Sequence, residues 1–282
     1  MKKIFALLLV LSPFIGFAQH TEVGIMVGAS AYEGDLAHSS IINKIQETRP
    51  AFGAFARYNI NNYVAARLSF NYGVLTSSDS NSDQDERLQR NLSFRSDIFE
   101  FSLTGEFNIL GYQPYNLEKV FSPYIFAGIA LYRFNPKAEL NGETIALQPL
   151  GTEGQGLAEF PEREFYSLTQ FSVPFGGGLK YALNDSWNIG IEAGLRMTFT
   201  DYIDDVSTTY AGDVLLLESR GETAAALSNR TGTPIETGAS RGQSDVNDWY
   251  LFGGITVSFN FLDNGLVGFR RKSGKNTGCP TF

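Results

Sequence analysis

Residues 187–200 read WNIGIEAGLRMTFT. Trp187, Ile189, Ile191, Ala193, Leu195, Met197 and Phe199 fill one register, and Asn188, Gly190, Glu192, Gly194, Arg196, Thr198 and Thr200 fill the other. Successive side chains of a β-strand point to opposite faces, so this segment has one apolar face and one small or polar face. Strands of soluble domains commonly run about 5–6 residues, whereas a strand crossing a bilayer takes about 9–11 plus its interfacial ends. The quoted stretch has the second length. Its charges, Glu192 and Arg196, stand on the same side, as a strand with lipid outside and a polar interior requires.

The pattern recurs. Phe99, Phe101, Leu103, Gly105, Phe107 and Ile109 alternate with Glu100, Ser102, Thr104, Glu106 and Asn108. Residues 64–73, 171–182 and 249–261 repeat it, and 23–32, 51–60 and 123–134 follow it less regularly. The count is about eight, the smallest number that closes a membrane barrel. The predicted fold is an all-β, eight-stranded antiparallel transmembrane β-barrel.

The connections alternate in length. Asn61-Asn62 and Asn184-Asp185 are hairpin turns, and residues 110–122 form a medium link. Residues 33–49, 75–96, 135–169 and 201–246 are long. Outer-membrane barrels have short periplasmic turns and long external loops, so both mature ends are expected in the periplasm. Trp187, Tyr63, Tyr124, Tyr181 and Phe261 are expected in one aromatic girdle, and Trp249, Tyr32 and Tyr202 in the other. A soluble β-sandwich explains neither the strand lengths nor the alternating loops.

Three divisions are expected: a signal peptide over 1–18, the barrel over 19–261 and a periplasmic tail over 262–282. Met1-Lys2-Lys3, the apolar run 4–14 and the small-x-small site Gly16-Phe17-Ala18 make up an export signal cut before Gln19. Charged residues are 18% of the chain, against about 25% in ordinary globular domains. The mean hydropathy of −0.11 is no objection, because alternation averages the signal away. A net charge of −8 argues against nucleic acid.

Arg67, Glu100, Glu106, Lys180, Glu192 and Arg196, with Arg57, fall in the inward register. An eight-stranded barrel is just wide enough for its side chains to fill, so these mixed charges are expected to pair and plug the lumen. Nothing in the chain has the spacing of a zinc site, and no cofactor or small-molecule substrate is expected. The acidic stretch 79–86 lacks the glycine and distal glutamate of a calcium loop. Asp201, Asp204 and Asp205 are weak candidates for bridging lipopolysaccharide through divalent cations, and residues 211–244 read as a flexible loop. His38 lies near Ser39, Ser40 and Asp35, but triad members normally converge from separate segments. No enzyme is expected. The tail carries Arg270, Arg271, Lys272 and Lys275 on an otherwise acidic protein, together with Cys279, the single cysteine. An unpaired cysteine in an oxidising compartment points to an intermolecular disulfide, so these five residues are candidates for partner binding.

Residues 22–36 (EVGIMVGASAYEGDL), 49–59 (RPAFGAFARYN), 173–210 (VPFGGGLKYALNDSWNIGIEAGLRMTFTDYIDDVSTTY) and Gly278-Cys279-Pro280 resemble the PorG-type barrels of the Bacteroidetes type IX secretion and gliding apparatus. They cover about a quarter of the chain. The resemblance implies a non-enzymatic outer-membrane component that anchors a periplasmic ring made of a lipoprotein and its ring partner, with Cys279 matching the family's terminal cysteine. Two other readings stay open: a small porin-like transporter and, less favoured, a lipid A-modifying hydrolase.

Overall fold

The computed structural model describes residues 21–37, 40–113 and 119–261. Among these residues ten strands form: β1 (Thr21–Glu33), β2 (Arg49–Asn59), β3 (Val64–Ser78), β4 (Ser93–Asn108), β5 (Phe121–Arg133), β6 (Pro136–Leu140), β7 (Glu143–Ala146), β8 (Thr169–Ala182), β9 (Trp187–Thr198) and β10 (Trp249–Phe261). Eight of them, all but β6 and β7, close a ring. The order β3-β2-β1-β10-β9-β8-β5-β4 is sealed by the β3–β4 pairing, and every ring contact is antiparallel. Closure removes the free edges that lipid cannot hydrate. The fold is therefore the eight-stranded barrel, with one addition. The β6–β7 hairpin pairs with the upper end of β4, through Arg95↔Lys137 and Ser96↔Pro136.

Local chemistry sets the short turns. Asn61 Oδ1 accepts the backbone N–H groups of Tyr63 and Val64 at 2.8 and 2.9 Å. Asn184 Oδ1 does the same for Ser186 and Trp187, both at 2.9 Å. Asparagine side chains that bond backbone two and three residues on are a common way to hold a reversal. Both turns lie at one end of the barrel. The connections 34–48, 79–92, 134–168 and 199–248 lie at the other.

Outward residues make an apolar belt. Ile25, Phe52, Leu68, Phe101, Ile125, Phe171, Ile191 and Ile255 are all exposed, and they come from all eight barrel strands. Such a continuous apolar surface suits hydrocarbon. Two girdle expectations are corrected. Tyr124 and Tyr32 point inward and are buried, because even-numbered residues of β5 and β1 face the lumen. Tyr63, Tyr181 and Trp187 stand outward at the short-turn end.

The 199–248 connection is also corrected. It contains α1 (Asp213–Arg220) and α2 (Glu222–Ser228). Leu227 packs with Ala138 and Leu147 beside the β6–β7 hairpin, so this loop is a packed cap.

Candidate functional site

Two polar constructions are stacked along the barrel axis. The lower one fills the lumen. Four carboxylates (Glu22, Glu100, Glu106 and Glu192) meet four cations (Arg57, Arg67, Lys180 and Arg196), and none of the eight is more than 9% exposed. Glu106 is the hub. Its oxygens lie 2.9 Å from Arg57 Nε, 3.2 Å from Arg67 Nε and 2.5 Å from Lys180 Nζ. Arg57 also donates to Glu22, and Arg67 reaches Glu192 at 2.5 Å. Glu100 makes a separate pair with Arg196, at 3.0 and 3.2 Å, and accepts from Asn71 and Tyr250 at 2.8 and 2.9 Å. Buried charges are tolerated only when paired in this way. The equal numbers leave the lumen electrically neutral.

Aromatic rings complete the filling. The Arg57 guanidinium lies 4.8 Å from the Phe55 ring, Arg67 lies 4.9 Å from Phe126 and Arg196 lies 4.8 Å from Phe252. Glycines make room for them. A Cβ on Gly24 would stand 2.4 Å from Phe55, and one on Gly194 would stand 2.6 Å from Phe126. The small residues of the inward register are thus the sockets for the rings of other strands.

An apolar layer follows toward the long-loop end. It includes Ile98, Tyr132, Phe134, Phe252, Leu75, Leu36 and Ile203. Above it sits the second construction, a polar knot inside the cap. Arg90 holds Asp79 at 2.7 and 2.8 Å. Arg241 lies 2.9 Å from Glu153 and 3.7 Å from Asp205. Glu153 also accepts from the backbone of Ser207 and Thr208 at 2.9 and 3.0 Å. Asp205 accepts from Tyr166 at 2.6 Å and from Thr152 at 2.5 Å. The Tyr32 hydroxyl lies between Asp204, at 2.7 Å, and Asp248, at 2.5 Å. These contacts tie the 134–168 and 199–248 loops to each other and to the end of β1, and Arg90 adds the 79–92 and 34–48 loops by donating to the Arg241 and Asp35 carbonyls at 2.7 and 3.3 Å.

Electrostatics differ from those of the lumen. Burial, then the negative charge of Asp35, pushes the Asp201 carboxyl up to about 8. Burial raises Asp205 to about 6, with Arg241 opposing the rise. Both Asp201 oxygens are buried without a hydrogen bond. Asp201, Asp204 and Asp205 are at most 6% exposed, which corrects their expected role as surface bridges to lipid: they face protein. Among the described residues, no group of three or more His, Cys, Asp or Glu side chains is arranged to hold a metal ion.

The structure brings Arg67, Glu100, Glu106, Lys180, Glu192 and Arg196 into one lumen. Arg270, Arg271, Lys272, Lys275 and Cys279, like residues 1–18 and His38, lie outside the described residues. Glu22 escaped the sequence reading, although it shares the inward register of Gly24 and Met26. Glu153, Arg241 and Asp248 escaped too, and no periodicity marks them.

The family model described as DUF6089, a domain of unknown function, matches residues 1–149 of the 282. No curated protein matches the chain. Among solved structures, the N-terminal β-barrel domain of Pseudomonas aeruginosa OprF is 12% identical, covers 86% of this chain and 98% of its own, and has a TM-score of 0.35. Neisserial surface protein A is 10% identical over 86% and 97%, with a TM-score of 0.43. The outer membrane protein OprG of Pseudomonas aeruginosa is 9% identical over 87% and 99%, with a TM-score of 0.39. At such values these are likenesses alone.

Proposed function

The chain belongs to the DUF6089 family, whose description assigns no activity, and from that premise and its own geometry we propose that it is a non-conducting outer-membrane anchor. In this reading it serves a type IX protein secretion machine. The short turns and both mature ends face the periplasm, and the tail holds a periplasmic ring lipoprotein and its ring partner. One observation carries the platform part: the neutral lattice of Glu22, Glu100, Glu106 and Glu192 with Arg57, Arg67, Lys180 and Arg196 fills the lumen. A barrel plugged in this way offers its two ends, not its interior, for work. The secretion part is supported by the resemblance of residues 173–210 and by the basic, cysteine-bearing tail.

The test is affinity purification from gently solubilised outer membranes, read on non-reducing gels. The wild-type chain is expected to bring down a periplasmic lipoprotein in a high-mass adduct. Cys279→Ser should abolish the adduct, and truncation after Phe261 should abolish the association. Absence of any periplasmic partner from the wild type would overturn the anchor. Steady conductance of the purified barrel in planar bilayers would overturn the plugged platform and favour a transporter.

A further inference from the structure

The contact between Tyr32, Asp204 and Asp248 has one hydrogen too few. A phenol carries a single hydroxyl hydrogen. Yet Tyr32 Oη lies 2.7 Å from Asp204 Oδ2 and 2.5 Å from Asp248 Oδ1, both hydrogen-bond distances. Two ionised carboxylates cannot both accept from that one hydrogen, so one of the acids must supply its own. Donor counting says which. Asp204 already accepts from the backbone N–H of Leu36 at 3.2 Å and of Val206 at 2.9 Å, as well as from Tyr32. Asp248 accepts from Ile203 N at 2.8 Å through Oδ2, which leaves Oδ1 facing the phenol oxygen.

We infer that Asp248 is protonated and donates to Tyr32, which in turn donates to an ionised Asp204, so that a single proton clasps the cap closed. The position makes this a device and not only a bond. Tyr32 ends β1, Asp204 lies at the start of the 199–248 loop and Asp248 closes that loop just before β10. The chain of two bonds therefore fastens both ends of the largest loop to the rim of the barrel. Gly34 leaves the space: a Cβ there would stand 1.8 Å from Asp248 Oδ1.

The surroundings favour the acid form. Asp201 faces Asp248, and Asp35 faces Asp204, each adding negative charge once it is ionised. Arg90 is the cation that faces Asp204, but both oxygens of Asp79 hold it. Burial, then the charge of Asp204, holds the Asp248 carboxyl well above the usual carboxylate range. An acid whose pKa is higher in the closed cap than in the open one lends stability that is complete below the open-state value. That stability is lost as pH rises through the closed-state value. The cap is thus closed in acid and released by alkali.

The full-length protein in lipid vesicles tests this through proteolysis of the 199–248 loop, with the heat-shifted gel mobility of the barrel as the folding control. Asp248→Asn supplies the hydrogen permanently, because its amide nitrogen donates to Tyr32 while its oxygen still accepts from Ile203. The ratio of wild-type to Asp248→Asn cleavage rates is expected to climb from about pH 5 upward, by up to tenfold per pH unit between the open-state and closed-state values, and to level off above the closed-state value. Comparing the two at each pH cancels the protease's own pH dependence. Asp204→Asn cannot accept from all three donors and should open the cap at every pH. A ratio that stays flat from about pH 5 to about pH 9 would overturn the inference. So would an Asp204→Asn variant that closes like Asp248→Asn. Closure of the wild type at high pH that depends on calcium and is released by EDTA would put a cation where we place the proton.

Discussion

Glu106 shows how much one side chain holds in this barrel. Arg57, Arg67 and Lys180 all converge on it, from β2, β3 and β8, so its carboxylate ties three other strands to β4. Removing one partner of a buried ion pair leaves the other charged in a poorly solvating interior, at a cost of about 3–5 kcal/mol. Glu106→Ala is therefore expected to lower the unfolding free energy of the lipid-reconstituted barrel by about that amount. Urea titration followed by the fluorescence of Trp187 and Trp249 measures it. A loss below about 1 kcal/mol, the range of exposed pairs, would show that water reaches the lumen. The charges themselves were legible in the sequence because period two marks the inward face. Their pairings were not, since Lys180 and Glu106 lie 74 positions apart.

At the scale of elements, strand length is where local pattern and tertiary structure part. The alternation in β3 runs to Gly73, where the sequence predicts the end of the strand. The strand continues to Ser78, and β4 begins at Ser93, with Ser78↔Ser93 still paired. Val74 and Leu75 are both buried, so the burial alternation stops while the backbone pairing goes on. At Val74 the outer face of β3 is covered by protein as well, and the two-residue signal fades there, while β4 keeps its alternation through the same level. Gly73 sits at this transition. A Cβ there would lie 2.4 Å from Phe252 and 2.8 Å from Ser30 Oγ. Gly73→Val is expected to cost about 1–3 kcal/mol by overpacking. Phe252→Ala should relieve part of that, so the double variant should be more stable than the two single losses predict, by the same urea assay. Strictly additive losses would sink this account of the ring and its socket. The helices α1 and α2 illustrate the converse. At eight and seven residues they are too short to persist alone, and buried Leu216, Ala224 and Leu227 hold them. Composition alone made this stretch look like a loose loop.

At the scale of the molecule, exposure does not tell which solvent a residue meets. Ile191 on the belt is 55% exposed and Leu217 in the cap is 52% exposed. An arginine on the lipid face near the bilayer midplane costs about 2–4 kcal/mol. An arginine on a water-facing surface usually changes stability by no more than about 0.5 kcal/mol. Ile191→Arg is thus expected to cut the yield of barrel folded into vesicles, while Leu217→Arg leaves it intact. Equal yields would mean that the belt does not face lipid. The same contrast divides the charges. The lumen balances four carboxylates against four cations. The cap leaves Asp35, Asp201, Asp204 and Asp248 without an arginine or lysine of their own and meets the excess with protons and backbone N–H groups.

The sequence by itself determined the class of strand, the number of barrel strands, the two faces of the regularly alternating strands and which connections are short. These are local properties: period two belongs to the extended backbone, and the Asn61 and Asn184 turns are made by residues within three positions of each other. Only the tertiary structure decided who pairs with whom. Ring closure through β3 and β4, and through β1 and β10, sets the registers that put Glu106 among three cations. The folding of the 199–248 loop onto the rim beside β1 brings Tyr32, Asp204 and Asp248 to one point, across separations of 172 and 216 residues. No pattern along the chain encodes such a meeting, because it exists only once every strand between those residues has found its neighbour.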